Sequence, residues 1–191
     1  MKSLQLDKPH ILVVVGLPGA GKTFFAKQFS GTFNAPYIDY NHYRQLLNND
    51  QLGDQVTGEL LDQLFLTRQT IIMDNRGNQR LDRRELTLFA HKKGYEVLYV
   101  WVQTEPLTAE QRAVTSKTAT MTRREFDERT RQFEILTKGE LYLVISGKHT
   151  YASQARVVLK KLVGTTRNET HTPVIPTRQA VPPRSGRITI G

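Results

Sequence analysis

Residues 11–23 read Ile-Leu-Val-Val-Val-Gly-Leu-Pro-Gly-Ala-Gly-Lys-Thr, and this stretch decides the fold. It begins with an apolar run rich in β-branched residues, which is typical of a buried strand. The run leads directly into the pattern Gly-x₄-Gly-Lys-Thr, and a segment of helical character follows. Glycines permit backbone conformations that a Cβ would penalise, and they let the chain approach a ligand closely. The sequence therefore predicts a strand, a phosphate-binding loop and a helix in that order.

The residue types in this loop suit a polyphosphate. The loop amides and the N-terminus of the following helix point at an anion, the Lys22 ammonium reaches the β- and γ-phosphates, and the Thr23 hydroxyl ligates Mg²⁺. A Gly-rich turn without a ligand is the alternative. We expect a nucleoside triphosphate, ATP, together with Mg²⁺. The predicted nucleotide-binding residues are those of the whole loop: Gly16, Leu17, Pro18, Gly19, Ala20, Gly21, Lys22 and Thr23.

The composition limits the class of protein. The chain has 191 residues, no cysteine and a formal net charge of +9. A chain of this length buries a sizeable core without cross-links. The absence of cysteine excludes disulfides and thiolate metal sites and suits a reducing cytoplasm, where we expect the protein to reside. No apolar run approaches the length that spans a bilayer, so we expect no membrane segment. The positive charge favours anionic partners, either nucleotides or nucleic acid.

Residues 1–163 alternate strand-like and helix-like segments. This alternation predicts an α/β domain that contains a parallel five-stranded sheet with helices on both faces. The predicted strands are Ile11–Val15, Pro36–Asp39, Thr70–Asp74, Glu96–Val102 and Leu141–Ser146. The predicted helices are Thr23–Phe29, Gln55–Leu66, Leu81–Lys93, a helix that follows the capping box of Thr122 and Glu125 and carries Phe126, Phe133 and Leu136, and Tyr151–Leu162.

Residues 164–191 have a different character. They hold four prolines and four arginines against a single acid, Glu169, and they show no apolar periodicity. We predict that they form a basic, Pro-rich, disordered tail, separate from the domain at 1–163 and available to a partner. The alternation in Arg187–Ile190 leaves open an edge strand on a partner or on this domain, as against an unpaired, solvated tail.

Polar side chains follow the second and third predicted strands. Asp74 ends an apolar strand, which is the position of a second acid that binds Mg²⁺ through water. Asp39 and Asn41 share a face if their strand persists, and Arg44 falls one helical turn later. An acceptor site needs a carboxylate near the attacking hydroxyl and a cation near its anionic group, and Asp39 and Arg44 meet that need. A helix N-cap is the alternative for Asp39.

A basic segment spans residues 105–124. A mobile segment at this place in the fold would close over a transferring phosphoryl group and neutralise its charge. Arg112 and Lys117 are the residues that we assign to this role, and we expect a lid loop over Thr115–Thr122. For Arg123 and Arg124 we favour the alternative, a solvated charged helix face.

The chain resembles the P-loop kinases of the polynucleotide-kinase and zeta-toxin type, an AAA-type ATP-binding family, over roughly residues 10–163. The resemblance is carried by Gly16–Thr23, Tyr37–Arg44, Thr70–Arg84 and the basic stretch at Arg112–Lys117. It implies the P-loop NTPase fold and transfer of the γ-phosphoryl of Mg·ATP to a hydroxyl of a nucleoside, a polynucleotide end or a small metabolite. It also implies donor phosphates and Mg²⁺ on Lys22 and Thr23, an acceptor on Arg44, Mg²⁺ or acceptor at Asp74, and donor contacts from Arg112 and Lys117.

The chain departs from that family at one place. The family's Asp, three residues before the Arg, aligns with Asn41, and an amide cannot accept a proton as a general base. Either Asp39 takes over that role, or the protein binds ATP and transfers slowly or not at all. The rival functions are an ATP-binding switch that acts through a partner and a nucleic-acid-binding protein. We favour an active kinase, since positioning and charge neutralisation dominate phosphoryl transfer.

Overall fold

The computed structural model describes residues 6, 8–117, 119 and 121–167. Within this part of the chain, five parallel strands form one sheet in the order β2-β3-β1-β4-β5. The strands are β1 (His10–Val15), β2 (Tyr37–Asp39), β3 (Ile71–Asp74), β4 (Glu96–Gln103) and β5 (Tyr142–Ser146). The predicted α/β fold with a parallel five-stranded sheet is confirmed.

Helices connect the strands in βαβ fashion. They are α1 (Lys22–Phe33), α2 (His42–Leu47), α3 (Asp50–Leu66), α4 (Arg80–Lys92), α5 (Pro106–Glu110), α6 (Arg123–Gln132) and α7 (Tyr151–Arg167). A π-helical segment, Gln111–Thr115, continues directly from α5. No helix of the described residues is both long and apolar enough to cross a membrane.

The core has two halves because successive side chains of β1 point to opposite faces of the sheet. Leu12 and Val14 pack with apolar side chains of α1 and α7 on one face. Ile11, Val13 and Val15 pack with apolar side chains of α3 and α4 on the other. These five apolar side chains of β1 have 0% exposure. Burying a side chain of this size contributes about 1.5–3 kcal/mol. Helices therefore cover both faces, as predicted.

Four helix boundaries differ by several residues from the predicted ones. One is the end of α6 at Gln132, where Phe133 leaves the helical conformation, so Phe133 and Leu136 lie beyond the helix. Helix α3 begins at Asp50 rather than Gln55, because the Asn49 side chain accepts a hydrogen bond from the Leu52 amide and caps the helix there. Helix α1 continues to Phe33, where Asn34 ends it in a left-handed conformation. Helix α7 runs through Arg167, beyond the predicted domain boundary at 163. The rest of the predicted tail, including Arg187–Ile190, lies outside the described residues.

The topology creates a crevice at the carboxyl ends of the strands. Strands β1 and β3 are neighbours, but α1 packs on one face of the sheet and α4 on the other. Where the helices that follow two adjacent parallel strands diverge in this way, a crevice opens beyond the carboxyl ends of the strands. The phosphate-binding loop and Asp74 follow β1 and β3 into this crevice.

Candidate active site

The phosphate-binding loop, residues 16–23, requires glycine at two positions, one for lack of space and the other for its backbone conformation. At Gly19 (φ 73°), a Cβ would lie 2.1 Å from the carbonyl oxygen of Ala109 in α5. Gly21 (φ 103°) has open space around it, but its left-handed backbone is one that side chains rarely adopt. The loop is thus a compact turn packed against α5, with its backbone exposed to a ligand at Gly21, immediately before α1.

Lys22 folds back over this loop. Its Nζ donates a 3.0 Å hydrogen bond to the carbonyl oxygen of Leu17. The Lys22 side chain is partly exposed, yet it is surrounded closely enough that desolvation lowers its pKa. The negative charge of Asp74 opposes this shift, and the positive charge of Arg129 adds to it. Within the described residues the ammonium contacts no carboxylate in an ion pair. A bound polyphosphate would supply the countercharge that Lys22 lacks.

Asp74 lies at the centre of the site. Its side chain is fully buried. One carboxylate oxygen, Oδ2, accepts a 2.5 Å hydrogen bond from the Thr23 hydroxyl, and Oδ1 accepts a 2.8 Å bond from the Asn75 amide. Burial raises the pKa of Asp74, while the Thr23 hydroxyl, Lys22 and the Asn75 amide act in the opposite direction. A neighbouring cation would compensate this desolvated carboxylate.

The donors around Thr23 and Asp74 fit Mg²⁺. This ion takes few protein ligands and retains several waters beside substrate phosphates. A hydroxyl and a carboxylate in hydrogen-bond contact at the end of the loop provide such a partial set. No group of three or more His, Cys, Asp or Glu side chains that would form an all-protein metal cage is found in the part of the chain that the structure describes.

Asp39 lies beside Asp74, opposite it in the register of β2 and β3. Its Oδ1 accepts hydrogen bonds from the Asn41 amide (3.1 Å) and from Nδ2 of Asn75 (2.8 Å). Strand β2 ends at Asp39, and Asn41 is the N-cap residue of α2, so the strand does not persist and the condition for a shared face is not met. Asp39 instead fixes the turn that leads into α2, close to the helix-capping alternative.

A polar pocket of about 350 Å³ opens next to Asn75. Its walls come from the residues after β2, the residues after β3, and one side of α6. We call it the polar pocket; its lining consists of Tyr40, Asn41, Arg44, Asn75, Arg76, Gly77, Asn78, Gln79, Asp82, Arg129 and Gln132. The structure thus places Asn41 and Arg44 in one pocket lining, at the ends of the strands that carry Asp39 and Asp74.

Arg44 is held within the protein. Its Nε and Nη2 donate to the two carboxylate oxygens of Asp54 on α3, at 2.5 and 2.6 Å. This hydrogen bonding holds the pKa of Asp54 below its usual range. The close approach of α2 and α3 requires Gly53, because a Cβ there would lie 2.5 Å from the backbone nitrogen of Arg44. The two Arg44 nitrogens that face Asp54, Nε and Nη2, are therefore both engaged in hydrogen bonds within the protein.

Two arginines of the polar pocket were not predicted as site residues. The guanidinium of Arg76 lies 4.3 Å from the centroid of the Tyr40 ring, and its Nε is buried without a hydrogen-bond partner. Arg129 comes from α6, and its charge acts on Lys22. Arg76 follows the end of β3 closely in sequence, whereas nothing in the sequence indicated Arg129, because only the tertiary structure brings α6 to this edge.

Arg112 and Lys117, the two cations predicted for the lid, do not belong to the lining of the polar pocket. Arg112 is exposed, and its Nη1 approaches the carbonyl oxygen of Gly147 at 3.4 Å. A Cβ on Gly147 would lie 2.3 Å from the carbonyl oxygen of Ala20, so Arg112 borders the flank of the phosphate-binding loop. Lys117 is exposed at the end of the π-helical segment. Residues 118 and 120 of the predicted lid loop lie outside the described residues.

The neighbouring arginines on α6 occupy surface pairs. Arg123 pairs with Glu110 at 2.6 Å, and Arg124 pairs with Glu128 one turn along the helix at 3.5 Å. These positions match the solvated-face alternative for both arginines.

A buried arginine supports the pocket from below. Arg83 of α4 is 1% exposed and is paired with Glu140. Its Nη1 donates to the carbonyl oxygens of Gly77 and Glu134, both at 3.0 Å, and Nη2 donates to that of Ile135 at 3.3 Å. Arg83 therefore ties the loop after β3, which forms one wall of the polar pocket, to the segment that follows α6, the helix that forms another wall.

Solved structures share this fold at low sequence identity. A gluconokinase from Sinorhizobium meliloti 1021 superposes with a TM-score of 0.64 at 15% identity, covering 85% of this chain and 98% of that chain. A sugar kinase from Janibacter sp. HTCC2649 gives 0.65 at 16% identity, covering 86% and 99%. A chain of the Pnkp1/Rnl/Hen1 RNA repair complex gives 0.57 at 16% identity, covering 67% of this chain and 45% of that one. At these identities the likeness shows the fold.

Among curated protein sequences, none matches this chain. The protein-family model described as AAA domain matches residues 11–136. This range begins with β1 and contains the phosphate-binding loop, Asp74 and every residue that lines the polar pocket. Because the match covers well over half of the sequence, the chain belongs to the AAA domain family, and its fold is that of the P-loop kinases.

Proposed function

We propose that this protein is a phosphotransferase that moves the γ-phosphoryl group of Mg·ATP to a hydroxyl of an acceptor bound in the polar pocket. One observation carries the proposal: buried Asp74 is hydrogen-bonded both to Thr23 of the phosphate-binding loop and to Asn75 of the polar pocket. A nucleotide-binding element and a pocket of suitable size thus share one carboxylate. Such contiguity is what in-line transfer between two substrates requires.

On the donor side, the loop amides and Lys22 would hold the β- and γ-phosphates. Thr23 and Asp74 would hold Mg²⁺, directly or through water, which would supply positive charge beside the donor phosphates. Lys22 would leave the Leu17 carbonyl for a phosphate oxygen. The negative charge of the phosphate would compensate for the hydration that the ammonium loses on burial. Arg112 and Lys117 would add positive charge from the segment beyond α5 once a nucleotide is present.

On the acceptor side, a hydroxyl oxygen would form the new P–O bond as the bond between the γ-phosphorus and the β–γ bridging oxygen breaks, and ADP would leave. The hydroxyl proton would pass to Asp39 or to water. Asp39 lies next to Asp74, and neither of its two observed hydrogen bonds uses Oδ2. Asn41, at the pocket wall, would orient the hydroxyl through its amide rather than take its proton.

A second candidate function is an ATP-binding switch with weak or no transfer activity. It is favoured by the contacts of Asp39, because its Oδ1 already accepts hydrogen bonds from the Asn41 amide and from Nδ2 of Asn75 and is engaged within the protein. The net charge of +9 also keeps nucleic acid among the partners or acceptors. Salt-dependent retention on nucleic acid, compared with and without residues 164–191, tests that partner and the tail together.

Calorimetry and a transfer assay separate these functions. We expect Mg·ATP to bind, and labelled γ-phosphate to appear on at least one acceptor from a panel of sugars, nucleosides and polynucleotide ends. Lys22→Ala should reduce kcat/KM by about 100-fold or more while the melting temperature is kept. Binding without transfer to any acceptor would favour the switch. Unchanged nucleotide affinity and turnover in Lys22→Ala would overturn the assignment of the loop.

A further inference from the structure

The charges that line the polar pocket are unbalanced. Three arginines, Arg44, Arg76 and Arg129, line it together with one carboxylate, that of Asp82. The charge of Arg44 is already compensated by Asp54, which grips it from α3. Two guanidinium groups therefore remain against one carboxylate, next to a phosphate-binding loop that itself prefers anions.

Arg76 is positioned rather than merely exposed. Its guanidinium lies 4.3 Å from the centroid of the Tyr40 ring, and Arg44 lies 5.0 Å from the same centroid. The Nε of Arg76 is buried and makes no hydrogen bond within the described residues. Because Arg76 as a whole is partly exposed and lines the pocket, its stacked guanidinium is suited to a planar or tetrahedral oxyanion, which accepts several N–H bonds at once.

Arg129 extends this positive region toward the phosphate-binding loop. It lines the pocket from α6, where its charge acts on Glu125 one turn earlier, and no salt bridge within 4.0 Å joins it to a carboxylate in the described ranges. Its charge acts on Lys22, so the two cations lie within electrostatic reach of each other. An anion bound between Arg76 and Arg129 would therefore lie on the side of the pocket nearest the transferred phosphoryl group.

We propose that the acceptor carries an oxyanion, a phosphate or a carboxylate, in addition to its reacting hydroxyl, and that Arg76 and Arg129 bind this oxyanion. Arg44 is then a positioning residue that joins α2 to α3 through Asp54, instead of the anion ligand that the sequence resemblance implied. The proposal rests on the proposed phosphotransfer function for the identity of the ligand as an acceptor.

Binding measurements test the proposal without turnover. The full chain is first saturated with Mg²⁺ and a non-hydrolysable ATP analogue, so that probes cannot bind the phosphate loop. It is then titrated with two matched pairs: a nucleoside and its 3′-monophosphate, and glucose and gluconate. We expect the anionic member of at least one pair to bind about tenfold or more tightly than its neutral partner. The pair that shows the preference distinguishes phosphate from carboxylate.

Variants locate the preference. Arg76→Gln and Arg129→Gln should each remove most of it, while Arg131→Gln, an equal charge change on the same helix outside the pocket lining, should keep it. The double variant Arg44→Gln/Asp54→Asn removes the internal pair without a net charge change and should also keep the preference. Binding of the ATP analogue and the melting temperature report whether each variant folds.

Equal binding of neutral and anionic members in both pairs would overturn the proposal. So would a preference that survives Arg76→Gln and Arg129→Gln but is lost in the Arg44/Asp54 double variant. If the anionic probes bind through Arg76 and Arg129 but no acceptor is phosphorylated, the oxyanion site stands and the phosphotransfer function fails.

Discussion

Thr23 and Asp74, far apart in sequence, are joined by a 2.5 Å hydrogen bond between a hydroxyl at the start of α1 and a carboxylate at the end of β3. The bond connects the phosphate-binding loop to the strand that leads into the polar pocket. It also leaves a negative charge in a fully buried position. Function and stability therefore place opposite demands on Asp74.

Removing the charge of Asp74 should separate its effect on stability from its effect on nucleotide binding. We expect Asp74→Asn to raise the melting temperature by about 2–4 °C, which corresponds to about 1 kcal/mol in a chain of this size, because a desolvated charge is removed. The same variant should weaken Mg²⁺-dependent nucleotide binding by at least about tenfold. Differential scanning calorimetry and nucleotide titration with and without Mg²⁺ measure the two effects. A lower melting temperature would show that the carboxylate stabilises the protein without a cation.

The raised pKa of Asp74 predicts a pH dependence of definite sign. Burial shifts this pKa above the ordinary value of 3.8, so the folded protein binds a proton more tightly than the unfolded chain does. The contribution of Asp74 to the free energy of unfolding should therefore increase as the pH falls through the raised pKa, and level off below 3.8. Affinity for Mg·nucleotide should fall over the same range, since a protonated carboxyl no longer favours a cation.

Titrations between about pH 4 and 8 test this dependence. The nucleotide phosphates titrate too, so the comparison is between the wild type and Asp74→Asn, with Asp62→Asn, a surface residue paired with Lys93, as a control. Only Asp74→Asn should lose the acidic component of the binding curve. Parallel curves for the wild type and Asp74→Asn would assign the pH dependence to other groups.

The choice of general base is decided by exchanging acid and amide at two positions. We expect Asp39→Asn to lower kcat by about 10²–10⁴, and Asn41→Asp to leave kcat within about a factor of ten. The reason is that Asp39 already lies next to Asp74 at the crevice, whereas a third carboxylate at 41 would add repulsion. Steady-state kinetics with a saturating acceptor measure both. A large rise in kcat for Asn41→Asp would identify a degenerate site.

The buried Arg83 should be essential to the fold of the pocket. Arg83→Ala removes one partner of a buried ion pair and leaves the carbonyl oxygens of Gly77 and Glu134 without their donor, so we expect a loss of about 3–5 kcal/mol in the free energy of unfolding. Denaturant titration measures this loss. Adding Glu140→Gln to Arg83→Ala should lower the free energy of unfolding much less than Glu140→Gln does on its own, because the two residues act as a unit. Fully additive losses would contradict that coupling.

Local sequence signals accounted for the donor side of the site. The glycines, Lys22 and Thr23 are adjacent in sequence, and Asp74 ends an apolar strand, so spacing alone placed them near one edge of the sheet. Their roles toward ATP and Mg²⁺ stay predictions. The capped start of α3 at Asn49 was missed because the apolar periodicity becomes clear only some residues later.

Tertiary packing determines the polar pocket, and sequence reasoning was correspondingly weaker there. Arg44 pairs with Asp54 only because Gly53 lets α2 and α3 approach closely. Arg129 reaches the polar pocket only because α6 crosses to the carboxyl edge of the sheet. An arginine in a sequence does not reveal whether its partner is a neighbouring helix or a ligand, since both use the same hydrogen bonds.

The contact between Gly19 and the Ala109 carbonyl has a mechanical consequence. A Cβ at position 19 would also lie 3.2 Å from the Cβ of Ala113, so the loop packs against both α5 and the π-helical segment. A hinge that lets the basic segment swing toward a ligand therefore has to lie beyond Ala113. Position 19 would consequently reject every other amino acid even in a screen for soluble expression alone, with no nucleotide in the medium.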